Sequence, residues 1–273
     1  MKIIVLNSLS HSGSTVISMV LSNAANAVSL GEIYQVLRDD PADWLAKNET
    51  CSCANALAQC TFWEPVLAHI KTHNIVDIVE RYRCAIQHFE DVYGPDSVII
   101  DTSKGTKHLD IYKKLDIDFK LVYLLRDVRS FAFSQSKVAA RQTRKGVKKI
   151  KGHAWFQFLK WYFGNKGRMK MFAKKGIDYC KVGYEDFCFN QEARLKQMCE
   201  HTELDYKKAY LAMSDSQHHV LMGNPMRKRK DKQTGIRYDS TWLQDNRNII
   251  PSIIFPFVLY YNAQHVYQQQ SKD

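Results

Sequence analysis

No stretch of the 273-residue chain approaches the run of about 20 apolar residues that a membrane-spanning helix needs. The opening segment, MKIIVLNSLSHSGS, holds only Ile3 to Leu6 as an apolar run. That is short of the roughly 7–15 residues of a secretory h-region, and it reads as a strand entering a loop. Internal repeats and low-complexity linkers are missing too. The expectation is therefore one domain over residues 1–273, long enough to bury a core, rather than two small ones. Seven cysteines, an odd number, argue against a disulfide framework and for a reducing, cytoplasmic setting. Acidic residues are missing over one long stretch: Lys137 to Lys175 holds thirteen Lys or Arg and no Asp or Glu. With a net charge of +11, this points to a polyanionic ligand, nucleic acid or an anionic surface, although Lys-rich stretches are often no more than solvated helical faces.

What is present is an alternation of short apolar strands and helices. Ile3–Leu6 is a short continuous apolar run of the kind buried in parallel sheets, and Ser97–Asp101, Lys120–Leu125 and Asp178–Val182 are further strand candidates. Helices are predicted over Ser14–Ala27, Val128 to about Ala140, and His153–Lys175. In the last of these Trp155, Phe158, Leu159, Tyr162, Met169 and Phe172 fall near helical spacing, and Gly176 is a plausible stop. The pattern predicts an α/β fold with a mostly parallel central sheet and helices on both faces.

The first strand runs into Asn7-Ser8-Leu9-Ser10-His11-Ser12-Gly13-Ser14-Thr15, which opens the first helix. Such a turn aims backbone N–H groups and the positive end of the helix dipole at one spot, suited to an anion. Taken alone it reads equally as a phosphate cradle or as a helix that Ser14 merely caps. The G-x-x-x-x-G-K-[ST] pattern of ATP and GTP loops is absent, since no Lys follows Gly13 and the first Gly is missing. Farther along, Leu121–Leu125 ends in Arg126, and Ser134 follows eight residues later. Arg offers a planar fork for phosphate oxygens, at the strand end where α/β sheets place ligands; pairing with Asp127 or another acid is the bland alternative.

These two segments resemble the nucleotide motifs of the sulfotransferases that use PAPS (3′-phosphoadenosine-5′-phosphosulfate). The loop resembles the family's 5′-phosphosulfate loop, a basic residue followed by S-G-[ST]-[ST], with His11 where relatives usually carry Arg or Lys. An unperturbed His is half-ionised near pH 6.5, and phosphosulfate oxygens would favour its cation. Arg126 and Ser134 resemble the 3′-phosphate motif. The resemblance implies a P-loop NTPase-like three-layer fold and PAPS as donor with PAP as product. Ser10, His11, Ser12, Gly13, Ser14, Thr15, Arg126, Ser134 and Arg227 would hold the nucleotide, and no metal is expected.

The Gly31-Glu32 pair is similar to one in relatives whose Glu is the general base, a sensible role for a carboxylate when a hydroxyl must lose its proton. Asp101-Thr102-Ser103-Lys104 is similar to the D-[ST]-[ST]-K of bacterial members, and Lys104 would neutralise charge on the departing bridging oxygen. The catalytic set implied is thus Glu32, Lys104 and His11. Tyr184-Glu185-Asp186-Phe187 resembles a family segment read as scaffold. His219–Arg227 resembles a late loop that closes over the 3′-phosphate, through Arg227 or Arg229; a merely solvated basic loop is an equal reading.

Cys51-Ser52-Cys53 and Cys60 fit zinc spacing poorly, and His69 is remote as a fourth ligand; a transient disulfide or buried thiols remain, and buried thiols are the preferred reading. The acceptor, a glycan, lipid, phenol or secondary metabolite, is not specified by the sequence. The basic stretch 137–175 could steer the donor, bind an acidic acceptor or do neither. Two other classes stand beside the resemblance. A P-loop small-molecule kinase would require Mg²⁺ and prefer ATP. A basic nucleic-acid-binding protein would show steeply salt-dependent binding, though no recognised nucleic-acid motif is present.

Overall fold

The computed structural model describes residues 1–47, 49–141, 152–213, 217–223 and 236–267. Six strands form one parallel sheet flanked by helices, in the order β5-β4-β1-β3-β2-β6. The strands are β1 (Lys2–Ser8), β2 (Ala27–Gly31), β3 (Val98–Asp101), β4 (Phe119–Leu125), β5 (Tyr179–Gly183) and β6 (Gln217–His218). The chain divides into two compact units that interleave in sequence: residues 1–7, 14–121 and 199–235, and residues 8–13, 122–198 and 236–273.

The first unit is built on the middle strands. Ile3, Ile4, Val5 and Leu6 are wholly buried, as a parallel strand covered on both faces requires. Ile3 pairs with Ile99 and Ile4 with Ile100; Val28 also registers with Ile99, and on its other side with Gln217. Its helices are α1 (Ser14–Leu21), α2 (Ile33–Arg38), α3 (Pro41–Ala46), α4 (Trp63–Thr72), α5 (Ile78–Tyr93) and α6 (Lys107–Lys114).

The helix expected over Ser14–Ala27 is shorter, and its tail is the start of a strand that the sequence reading did not identify. Past Leu21 the ladder tightens into i→i+3 bonds, Asn23 N–H to Val20 O and Ala24 N–H to Leu21 O. Ser18 and Ser22 hydroxyls bond back to the carbonyls of Thr15 and Met19, which competes with regular helix. Asn26 O then accepts from Val98 N–H at 2.7 Å, and Ala27–Gly31 proceeds as fully buried β2. Glu32 therefore follows a strand, not the first helix.

The second unit carries α7 (Val128–Arg141), α8 (Ala154–Lys174), α9 (Tyr184–Phe189), α10 (Gln191–Thr202, whose last turn falls in the first unit), α11 (Ile249–Ile254) and α12 (Pro256–Val266). α8 starts and ends within a residue of expectation, but its buried face differs. Gln157, Phe158, Trp161, Asn165 and Phe172 point inward, whereas Trp155 is 43% exposed. The polar Asn165 is accommodated because its Oδ1 accepts the buried Tyr123 hydroxyl at 2.7 Å. No helix among the described residues is long and apolar enough to cross a membrane.

Candidate active site

In the first unit the site is assembled at the carboxyl ends of β1, β2 and β3. Asp101 closes β3 and is fully buried. Its Oδ1 accepts from Ser103 N–H (2.8 Å) and the Ser103 hydroxyl (2.6 Å), and its Oδ2 accepts from the Tyr112 hydroxyl (2.9 Å). The Asn7 amide at the end of β1 donates to Ser103 O (3.2 Å) and Gly105 O (2.6 Å), and Thr102 N–H donates to Gly31 O (2.8 Å). The segment Asp101–Lys104 is thereby stitched to the ends of both neighbouring strands. Lys104 leaves it and its Nζ donates to the hydroxyl of Ser14, the first residue of α1.

Glu32 stands at the N-cap of α2 without capping it, so its carboxylate is not consumed by the helix end. It lines a pocket with Thr15, Thr102, Ser52, His218 and Val220. Three of the sequence-selected segments, around Thr15, Glu32 and Thr102, thus border one cleft, and Lys104 binds the residue beside Thr15.

The second unit holds the rest of the loop, residues 8–13, and the segment from Arg126 to Ser134. His11 and Ser10 are exposed and Ser12 is buried. His11 has φ of 67°, rare for a residue with a side chain and a sign of a constrained turn. Its carbonyl accepts from Arg126 Nη1 at 2.8 Å, so the Arg at the end of β4 holds the loop itself. Gly13 has φ of +89°, and a Cβ there would lie 2.2 Å from the Tyr184 ring. The Arg126 guanidinium also stacks 5.5 Å from that ring.

Arg126 Nε donates to the Ser130 hydroxyl at 2.7 Å. Ser130 and half-buried Ser134 lie one turn apart on α7, so both hydroxyls share a face. The sequence pointed to Ser134; Ser130 was missed, although its place four residues earlier was the available signal. Arg126 does not pair with Asp127, which is taken by Arg129 at 2.7 Å. Its acidic neighbours are Asp239 at 3.6 Å and Glu185 at 3.9 Å, both too far for a hydrogen bond. Arg227 and Arg229 lie outside the described residues, as do positions 142–151 of the basic stretch. Within the described part, Lys137, Lys160 and Lys166 sit over the rings of Phe133, Phe131 and Tyr162 at 4.0, 5.8 and 5.1 Å, so some of that charge is engaged in packing.

A sulfotransferase family model matches residues 4–208, three quarters of the sequence. The chain belongs to the sulfotransferase family. No protein of curated function matches it in sequence. Among solved structures, the sulfotransferase domain of the Synechococcus PCC 7002 olefin synthase is similar over 99% of this chain and 96% of its own, with TM-score 0.59 and 17% identity. The sulfotransferase domain of the curacin biosynthetic pathway aligns over 94% of this chain and 98% of its own, with TM-score 0.51 and 13% identity. A mouse sulfotransferase complexed with PAP aligns over 96% of this chain and 84% of its own, with TM-score 0.52 and 14% identity. At these identities the likeness is one of fold, and the sulfotransferase's chemistry, sulfuryl transfer, follows from the family.

Proposed function

We propose that this sulfotransferase takes its sulfuryl group from PAPS and delivers it to a hydroxyl acceptor. Residues 1–273 would act as one sulfotransferase domain. The observation that carries this reading is the meeting of Lys104 with Ser14, two residues far apart in sequence that join the end of β3 to the first turn of α1. A cation held at a helix N-terminus is the arrangement a phosphosulfate group requires.

In the proposed reaction the acceptor oxygen attacks sulfur in line, the bond from sulfur to the bridging oxygen breaks, and the electron pair leaves with PAP. Glu32 receives the acceptor proton. Lys104 neutralises the bridging oxygen as charge builds there. Ser10, His11, Ser12, Gly13, Ser14 and Thr15 bind the 5′ end of the nucleotide, and His11 acts as the loop's cation when protonated. Arg126 binds the 3′-phosphate with Ser134; Ser130, already hydrogen-bonded to Arg126, sets the guanidinium's angle. Metal has no part in this scheme, because Lys104 and Arg126 supply the positive charge. Arg227 as a closing residue, the acidity of the acceptor and a cytoplasmic location belong to the same proposal.

The test is calorimetric titration with PAP in the presence of a chelator. Saturable PAP binding, with ATP much weaker, is expected. Arg126→Ala should weaken PAP by about 1.5–3 kcal/mol, the worth of a charged hydrogen bond. Preference for Mg²⁺-ATP over PAP would overturn the donor assignment in favour of a kinase. Unchanged PAP affinity in the variant would remove Arg126 from the 3′-phosphate site.

A further inference from the structure

One cluster takes no part in the proposed transfer. Cys51, Cys53, Cys60 and His219 present three Sγ atoms and one imidazole nitrogen that all lie within 4.8 Å of one another. Sequence spacing argued against zinc, with His69 too remote to serve as a fourth ligand. The fold instead brings His219 from 159 residues beyond Cys60, because His219 follows β6 and its N–H bonds Ser29 O on β2 at 2.8 Å.

We propose that Cys51, Cys53, Cys60 and His219 form a closed structural zinc site that fixes the chain around His219 to the wall of the Glu32 pocket. The set is three soft thiolates and an imidazole, which selects zinc among common cations. In a tetrahedron with Zn–S of about 2.3 Å and Zn–N of about 2.0 Å, the S···N edge is about 3.5 Å. His219 Nδ1 lies 3.3 Å from Cys60 Sγ and 4.0 Å from Cys51 Sγ, bracketing that edge.

The surrounding shell is formed as well. His219 Nε2 is 2.8 Å from the Tyr93 hydroxyl, which leaves Nδ1 as the ligand nitrogen. The backbone N–H of Trp63 donates to Cys60 Sγ at 3.4 Å, and Trp63 Nε1 donates to His219 O at 2.5 Å. The first two thiols sit on a tight knuckle: Ala54 N–H bonds Cys51 O at 3.0 Å, Cys51 N–H bonds Asn55 O at 2.9 Å, and Ala54 takes φ of 71°. Cys51 and Cys60 are each 1% exposed, and all seven cysteines are unpaired by disulfide. On binding, each thiol releases its proton to solvent and four protein ligands complete the shell, so no position remains for water or substrate.

The consequence for the pocket runs through Ser52, between the first two thiols. Val220 N–H donates to Ser52 Oγ at 2.7 Å, and Ser52 N–H donates to Val220 O at 3.2 Å. Val220 in turn fills the space beside Gly31, where a Cβ would meet its Cγ1 at 2.6 Å. This part of the inference rests on the reading of Glu32 as base; the metal site does not.

The experiment is elemental analysis of the full chain purified without chelator, with neither donor nor acceptor present. About one zinc per chain is expected for a closed site of this kind. Cobalt substitution should give the intense absorption of a tetrahedral thiolate site. Cys53→Ser, at a half-buried position, should lose the metal, whereas His219→Cys should keep it. Chelation should lower Tm by about 10 °C or more. A metal-free, folded protein in which Cys51, Cys53 and Cys60 all react as free thiols, or one with a Cys51–Cys60 disulfide, would overturn the proposal, and so would stoichiometric iron or copper in place of zinc. Because zinc content is read without turnover, its absence would leave sulfuryl transfer standing, and the reverse also holds.

Discussion

A carboxylate at a strand end can serve as a base where it borders the site, and the Glu32 side chain makes no hydrogen bond that caps α2. The side chain borders the pocket instead, with Thr15 and Thr102. On the proposed scheme, Glu32→Gln should lower turnover by about 10²–10⁴, the usual worth of general-base catalysis, and leave PAP affinity within error. Steady-state rates with any accepted hydroxyl, beside PAP titrations, check this. Wild-type turnover in the variant would exclude Glu32 as base. A parallel loss of PAP binding would mean the carboxylate shapes the donor site rather than accepting a proton.

At the scale of the element, the loop after β1 depends on Gly13. An alanine would have to hold φ near +89° and push its Cβ into the Tyr184 ring. The backbone cost alone is about 1–2 kcal/mol for an L-residue in the left-handed region. Gly13→Ala should therefore lower Tm by several degrees and weaken PAP. Adding Tyr184→Ala should restore part of the stability by removing the clash; thermal melts of the two variants settle it. A single variant as stable as the parent would show that the loop adapts freely. Much of this element was legible in the sequence, because Ile3–Leu6 is an unbroken apolar run and Ser12-Gly13-Ser14 follows it after one short loop. β2 was not legible: Ala27-Val28-Ser29-Leu30-Gly31 continues the helical spacing of Val16, Ile17, Val20, Leu21 and Ala24, and only the pairing of Val28 with Ile99 decides its state. The same holds for the cysteines. Local spacing cannot show that β6 delivers His219 to them, since that depends on a parallel strand pairing across the chain.

At the scale of the whole molecule, the late sequence is anchored by two buried carboxylates with opposite pH behaviour. Asp127 accepts from Arg129 N–H and Nε (2.8 and 3.0 Å), from Asn262 Nδ2 (2.9 Å) and from the Tyr267 hydroxyl (2.9 Å), and its own N–H donates to Glu185 Oε2 at 2.8 Å. Burial pushes the Asp127 carboxyl up, but the hydrogen bonds and charge of Arg129 outweigh it and hold the group below its ordinary range. That stability is present above the ordinary aspartate value and is lost as pH falls below it. Glu185 behaves in the other sense: burial, and then the negative charge of Asp127, push it from 4.5 up to about 7. The folded protein then binds a proton there that the unfolded chain has released, so stability falls as pH rises from 4.5 to about 7. The shift corresponds to about 3 kcal/mol at most, at roughly 1.4 kcal/mol per pH unit. Glu185→Gln keeps an acceptor for the Asp127 N–H and cannot ionise. Urea unfolding at pH 5 and pH 8 should show the parent losing stability between the two and the variant nearly level. Equal slopes in both would mean that Glu185 stays ionised in the fold, compensated by Arg126 at 3.9 Å, and that the network's pH dependence resides in Asp127 alone.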